Sequence, residues 1–375
     1  MFSAVETPKL ILDKGRVENN AQRFLDIATE NNVLLRPHLK TSKSEEIAKI
    51  GTNGRMSSVT VSTLKEAEYF ASCGFRDILY AVGIAPNKLP HVKKIIEGCG
   101  GEILLITDDV SVARAAIAFA EVEQCPLQFL IELDCGEHRG GVTGDGPELV
   151  EIAQLFHDSP LIQLKGVMTH AGHSYASKCV AEIQDIAETE RRTAVDGARR
   201  LSQMGINCEI ISVGSTPTFL YAQSFEGLTE VRGGVYLFFD LAQFSRKVCT
   251  INDIAISVLA TVIGHNKQGR SLIVDAGAFA LSKDLSANTF LSDVDFGYVC
   301  DPWTLKRFGA LSINAVHQEH GTISVEDDVW FEQLPVGSMV RILPNHACAT
   351  AAAYQDYLVI EGDTLVGEWG RVNGW

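Results

Sequence analysis

Several things are missing from this 375-residue chain. No apolar stretch approaches the ~18 residues that a membrane span needs. The start, MFSAVETPKLILDKG, has no basic segment leading into an apolar core, so no signal peptide is expected. Cysteine occurs nine times, an odd count, and no two form a CxxC pair. That usage fits a reducing cytoplasm rather than a disulfide framework, and most of the thiols should be plain buried residues. Positive charge is short: 32 Lys and Arg stand against 47 Asp and Glu, a net charge of −15. Such a surface repels phosphate backbones and anionic lipid, which argues against nucleic-acid and membrane partners. No GxGxxG follows the first strand of the βα series, which counts against an open dinucleotide-binding sheet. Internal repeats and low-complexity segments are also lacking.

What remains is ordinary globular composition, 46% hydrophobic and 21% charged. After PKLILD, a helical pattern runs from Val17 to Asn31, and an apolar strand begins at Val33. From there short apolar runs alternate with helical patterns: MSSVTVS, ILYAV, EILLIT, LQFLIELD, LIQLKGVMTH, CEIISVG and LTEVRGG each open or close a βα step. With the Val33 strand this makes eight strands by Gly234, which predicts a closed (β/α)8 TIM-like barrel. An open doubly wound sheet is the alternative. Beyond Arg246 the texture turns β-rich, in IAISVLATVIGH, SLIVDAGAF, SMVRILP and DYLVIEG. The expected fold class is therefore α/β: a barrel over 13–245 and a mostly-β C-terminal domain over 246–375, joined by the N-terminal strand at 1–12.

The stretch NVLLRPHLKTSK, at 32–43, carries the first chemical signal. Arg36, His38 and Lys40 fall at every second position, so on a strand they share a face. Two neighbouring cationic groups and partial burial would lower a lysine pKa and favour a nucleophilic amine. A lysine at a strand end before a βα loop suits a carbonyl cofactor held as an imine, and pyridoxal phosphate (PLP) is the natural candidate. Pro37 gives up a ladder donor and counts against a regular central strand. In a barrel the chemistry gathers at the C-terminal strand ends. Those ends supply Asp134, Glu137, His138 and Arg139, then Thr169, His170, His173 and Tyr175, then Gly214, Ser215 and Thr216, and finally Arg232, Gly233 and Gly234. GST at 214–216 reads either as a helix N-cap or as a phosphate cup. The glycines at 233–234, from the last strand, favour the cup.

The segment PNHACAT carries a second signal. In an extended chain His346 and Cys348 face the same side, and imidazole with thiolate suits zinc or a similar divalent ion. His320 is a candidate third ligand, with Glu319 behind it. A buried cysteine beside a chance histidine is the plain alternative.

RPHLKTSK, VTVSTLKEAE, EHRGGV, THAGHSY, SVGSTPT, EVRGGVY and PNHACAT occur in this order. Together they resemble the D-serine dehydratase and D-threonine aldolase group, a branch of the alanine-racemase-like, fold type III PLP enzymes. The resemblance spans nearly the whole chain. It implies that Lys40 forms the imine with PLP and serves as the Cα base. It also implies that Arg139 lies beside the cofactor's 3-oxygen, that His170 packs on the ring, and that Tyr175 lines the pocket. His38 is counted with the cofactor-binding residues. Gly214, Ser215, Thr216, Gly233 and Gly234 match the phosphate region, and Arg232 lies where racemases hold the pyridine nitrogen. His346 and Cys348 match the metal ligands, with zinc first and magnesium or manganese as alternatives. The implied reaction is loss of water from a D-3-hydroxy amino acid such as D-serine or D-threo-3-hydroxyaspartate, giving a 2-oxo acid and ammonia. Aldolases of the group usually carry aspartate where this chain has Cys348, which favours the dehydratases. Retro-aldol cleavage to glycine and an aldehyde, racemisation, and a PLP-carrier role without catalysis are the alternatives. A homodimer with its active site near the subunit interface is implied, and Arg36, His173 or a residue from the other subunit could meet a substrate carboxylate.

Overall fold

The computed structural model describes residues 2 and 4–375. Met1 and Ser3, part of the expected N-terminal strand segment, lie outside the described residues. By its internal contacts the chain divides into two compact units, one of Gln22–Gly234 with Gly374–Trp375, the other of Met1–Ala21 with Val235–Asn373.

The chain opens with β1 (Lys9–Asp13) and α1 (Lys14–Glu30). The βα series then runs β2 (Leu34–Pro37), α2 (Glu45–Gly51), β3 (Ser58–Val61), α3 (Leu64–Ser72), β4 (Asp77–Gly83) and α4 (Leu89–Cys99). It continues with β5 (Glu102–Thr107), α5 (Val110–Glu123), β6 (Leu127–Leu133), α6 (Pro147–Asp158) and β7 (Ile162–Thr169). It ends with α7 (Val180–Gln203), β8 (Ile210–Val213), α8 (Thr216–Tyr221) and β9 (Glu230–Gly233). The helices start where the sequence supplies caps. Thr63 accepts from the Glu66 amide ahead of α3, and Asp109 from the Ser111 and Val112 amides ahead of α5.

The eight parallel strands lie in the order β2-β9-β8-β7-β6-β5-β4-β3. A single parallel bridge, His38 to Thr60, joins the two ends and closes the sheet. The eight-strand barrel expected from the sequence is thus observed, and Pro37 explains its thin seam. His38 donates its amide to Gly233 O on β9 and Leu39 donates to Thr60 O on β3. Alternation puts the missing Pro37 donor on the β3 side, where pairing begins only one residue later.

Between sheet and helices sits a continuous apolar shell that includes Phe70, Ile78, Phe129, Ile152 and Phe156. Each such side chain contributes about 1.5–3 kcal/mol on burial. Inside the barrel one arc is also apolar, with Leu79, Leu104, Ile106, Leu130 and Met168. The opposite arc, on β2, β8 and β9, is polar and carries Arg36, Ser212, Glu230 and Arg232, all buried.

The other unit is built on β10 (Ile256–Asn266), β11 (Ser271–Val274), β12 (Tyr298–Cys300), β13 (Arg307–Ser312), β14 (Ala315–Val316), β15 (Gly321–Ser324), β16 (Met339–Leu343), β17 (Asp356–Glu361) and β18 (Thr364–Gly370). Here β1 pairs antiparallel with β10 and parallel with β17, so the N-terminal strand does join this sheet. No helix among the described residues is long and apolar enough to cross a membrane.

Candidate active site

Strand pleat places the barrel-mouth residues. Alternate positions share a face, so Arg36 and His38 follow one side of β2 and its closing bridge while Glu230 and Arg232 share a face of β9 beside it. Lys40, expected on the same strand face, instead lies in the turn that follows, because β2 ends at Pro37. Arg36 stays low. Its Nη1 and Nη2 donate to the Asp77 carboxylate at 2.7 and 2.9 Å, and its Nε donates to Glu230 Oε2 at 2.8 Å. Asp77 is the first residue of β4, so this guanidinium sits at the N-terminal end of the barrel. Lys40, in the turn after the C-terminal end of β2, belongs to the opposite end. Arg36 is expected to crowd the Lys40 amine or to meet a substrate carboxylate; it does neither, because buried Glu230 and partly exposed Asp77 hold it.

Ser212 Oγ donates to Glu230 Oε1 at 2.6 Å and accepts from Arg232 Nη1, whose Nη2 donates to Thr169 O at 2.5 Å. A chain of contacts therefore runs Asp77, Arg36, Glu230, Ser212, Arg232 up the polar arc. Burial pushes the Arg232 guanidinium down, and Glu230 and Glu190 push it back.

Lys40 is exposed at the mouth, just past the bridge at His38. His38 is depressed well below the usual imidazole range, first by burial and then by the Lys40 ammonium. His170 is depressed by the same two causes, to about 3. Both rings are therefore neutral at pH 7. Hydrogen bonds set their tautomers. His170 Nδ1 faces Gly214 O at 2.6 Å and must carry a proton. His38 Nδ1 accepts the Lys40 amide at 3.3 Å. Lys43, by contrast, is engaged: its Nζ pairs with buried Glu66 at 3.0 Å rather than pointing free into the loop.

The 214–216 turn shows why glycine and hydroxyl residues are needed. Gly214 has φ 144, and a Cβ there would collide with the Arg232 backbone. A Cβ on Gly234 would lie 2.6 Å from His38 O. Ser215 caps α8: its Oγ accepts the Thr218 amide at 3.3 Å and meets Ser174 Oγ at 2.8 Å. The Gly214 and Ser215 amides are already bonded, to Glu190 Oε1 and Thr218 Oγ1. The Thr216 amide has only a 3.4 Å contact with Tyr175 Oη, and the buried Thr216 Oγ1 has no partner. An orphaned hydroxyl at a glycine-lined mouth fits a phosphate group.

Arg139 lies on the loop after β6, 61% exposed, and pairs with Glu137 Oε1 at 3.4 Å. Asp134 shapes that loop by accepting the Gly136 and His138 amides at 2.8 and 3.0 Å. Glu137 Oε2 also accepts the Gly172 amide at 3.3 Å, linking the loop to the turn that carries half-buried His173. Sequence reading missed Glu190, which is 1% exposed. Its Oε1 accepts the amides of Ala171 and Gly214 at 2.9 Å each, clamping the His170 strand end to the glycine turn. Nothing in the local pattern of α7 marks it.

In the other unit His346 and Cys348 do come together, but not on an extended segment as expected. His346, in extended conformation, is the N-cap of a helix at Ala347–Ala351, and Cys348 lies in its first turn. The run Ala-Cys-Ala-Thr-Ala favours helix, and Asp240 Oδ2 accepts the Ala347 amide at 2.9 Å. Asp284 Oδ2 faces His346 Nδ1 at 2.9 Å. Asp284 first, then Cys348, hold the imidazole proton and raise His346 to about 11. His320 does not join them: among the described residues no three His, Cys, Asp or Glu form a metal-binding group. Imidazole and thiolate side by side, with other positions left open, suit a divalent ion that keeps water or substrate ligands.

Residues 12–242 match the alanine racemase N-terminal domain, and residues 255–360 match the "Putative serine dehydratase domain". The D-threo-3-hydroxyaspartate dehydratase of Delftia sp. (strain HT23) is 41% identical, over 99% of this chain and 98% of its own. The chain belongs to this family. A D-serine dehydratase of Dictyostelium discoideum is 30% identical, over 96% of this chain and 95% of its own. The fold agrees with a solved structure of a cysteine-to-alanine variant of D-threo-3-hydroxyaspartate dehydratase in the metal-free form: TM-score 0.95 at 40% identity, over 99% of both chains.

Proposed function

We infer that this protein is a PLP-dependent lyase that removes water from a D-3-hydroxy amino acid, releasing a 2-oxo acid and ammonia. The observation that carries this reading is whole-length similarity to dehydratases in a chain whose barrel mouth presents an exposed lysine beside two neutral imidazoles.

PLP, when bound, withdraws the electron pair left at Cα. Lys40 Nζ is the group that would anchor it and, as a free amine, would take the Cα proton. A neutral, Nδ1-protonated His170 presents a ring face to the cofactor without adding charge. Arg232, which donates to Ser212 Oγ and Thr169 O, would serve the pyridine nitrogen. Thr216 and Tyr175, with Gly233 and Gly234, receive the phosphate, while Gly214 and Ser215 shape the turn. Arg139 serves the 3-oxygen, and His38 supports the Lys40 turn through its amide. His346 and Cys348 would hold a divalent ion, zinc by the softness of the sulfur donor, and such an ion would supply Lewis acidity for loss of a hydroxyl. The working form is a cytoplasmic homodimer with the active site near the subunit interface.

A substrate panel tests this. D-Serine, D-threonine, D-threo-3-hydroxyaspartate and D-alanine are incubated with PLP-loaded enzyme, with and without chelator, and ammonia, glycine and L-alanine are measured. Ammonia without glycine, lost on chelation, is the expected result. Glycine with an aldehyde would make the chain an aldolase, and turnover of D-alanine that survives chelation would make it a racemase.

A further inference from the structure

The segment that faces His346 is pinned more firmly than a surface loop needs to be. Asp284 lies on the loop between the short helix Ala278–Leu281 and β12. Its backbone carbonyl accepts Asn345 Nδ2 at 3.0 Å, and the same amide reaches Asp295 O at 2.6 Å. One buried side chain, next to His346 in sequence, thus ties together both ends of the 284–295 loop. Asn288 adds a second tie, giving Nδ2 to Asp295 O at 2.8 Å and accepting the Asp295 amide at 2.9 Å. Just upstream, Thr350 Oγ1 donates to Leu281 O at 2.9 Å, and Tyr354 Oη donates to Ala280 O at 3.1 Å. Within the carboxylate, Oδ1 accepts the Ser286 amide at 2.8 Å, which leaves Oδ2 turned to His346 Nδ1 at 2.9 Å. The residues that carry His346 and Cys348 therefore also build the platform that holds Asp284.

We propose that Asp284 is the positioning carboxylate of the metal site, fixing His346 with its proton on Nδ1 so that Nε2 is presented beside Cys348. This rests on the reading of His346 and Cys348 as metal ligands and names what orients them. A carboxylate on the distal ring nitrogen fixes ring plane and tautomer and strengthens the other nitrogen as a donor. Asp284 is not a third ligand in this arrangement, because its free oxygen is spent on the Nδ1 side. Its charge joins the thiolate in balancing a dication without occupying a coordination position that substrate or water needs.

The test is cobalt binding to the PLP-loaded, metal-stripped full chain, followed by the thiolate-to-cobalt absorption band and by equilibrium dialysis. Asp284→Ala is expected to weaken Co2+ binding about ten- to hundredfold, with PLP absorbance and melting unchanged. Asp284→Glu should recover part of the loss. Asp284→Asn, which keeps the shape and loses the charge, should fall between, and it carries the test if the alanine variant does not fold. Unchanged Co2+ affinity in the folded Asp284 variants, with wild type showing the thiolate band and His346→Ala losing it, overturns the positioning role alone. No thiolate band in wild type overturns the metal reading itself, and the positioning role with it.

Discussion

The barrel mouth and the His346–Cys348 cluster are supported in opposite ways. At the mouth, the strand ends and the turns after them do the positioning, and charged side chains lower on the strands brace the functional ones above them: Asp77 holds Arg36, Arg36 holds Glu230, and Glu230 holds Arg232 through Ser212. At the cluster, a short helix and a pinned loop do the positioning, and the supports are side chain to backbone bonds from Asn345, Thr350 and Tyr354. The first arrangement makes the site part of the fold's own electrostatics. The second separates site from fold, so its ligands can be altered with the scaffold left standing.

The largest expected effect is at Lys40. Lys40→Ala should cost about 10³-fold or more in kcat, through loss of both anchor and base, while its melting temperature stays near wild type, since the exposed amine braces nothing. Next come the metal ligands. His346→Ala or Cys348→Ala should lower elimination by about 10²–10³-fold, the share a Lewis acid supplies, with PLP loading intact; loss of PLP together with metal would break the contrast between the two regions. Glu230→Ala should instead strike stability, by about 3–5 kcal/mol in urea unfolding, because it strips a buried partner from Arg36. An unchanged urea midpoint would mean that the polar arc is not a brace.

The neutral histidines give a pH test with a definite sign. His170 is depressed in the native state, so the unfolded chain binds the extra proton. Its contribution to stability is complete above the unfolded value of about 6.5 and is lost as pH falls toward the native value. Urea midpoints of His170→Asn should therefore fall less steeply below pH 6.5 than those of wild type. The smallest effect is at Thr216. Removing its orphaned hydroxyl should leave the cofactor-free protein as stable or slightly more so, yet weaken PLP affinity about tenfold. Equal affinity would remove Thr216 from the phosphate site.

Much of this was legible because a parallel barrel turns sequence order into position. Once eight apolar runs are counted, the residue after each run is at the rim, and His170, Gly214 and Gly234 follow, with Lys40 in the turn just past its strand. The lower braces were half legible: Glu230 and Arg232 alternate on one strand, as Arg36 and His38 do, yet the motif was read only for its arginine and glycines. Glu190 lies mid-helix among other charges and reaches the glycine turn only through tertiary packing. Asp284 is 62 residues from His346, with no periodicity to connect them. The helix at Ala347–Ala351 was missed because its alanines are too few to signal against the flanking strands.

The most direct test is borohydride reduction of the PLP-loaded protein, followed by peptide mass mapping. Pyridoxyl label on Lys40 alone, and none trapped by Lys40→Ala, is the expected result. Label on Lys43 or on any other lysine, or trapping that persists in Lys40→Ala, would contradict it.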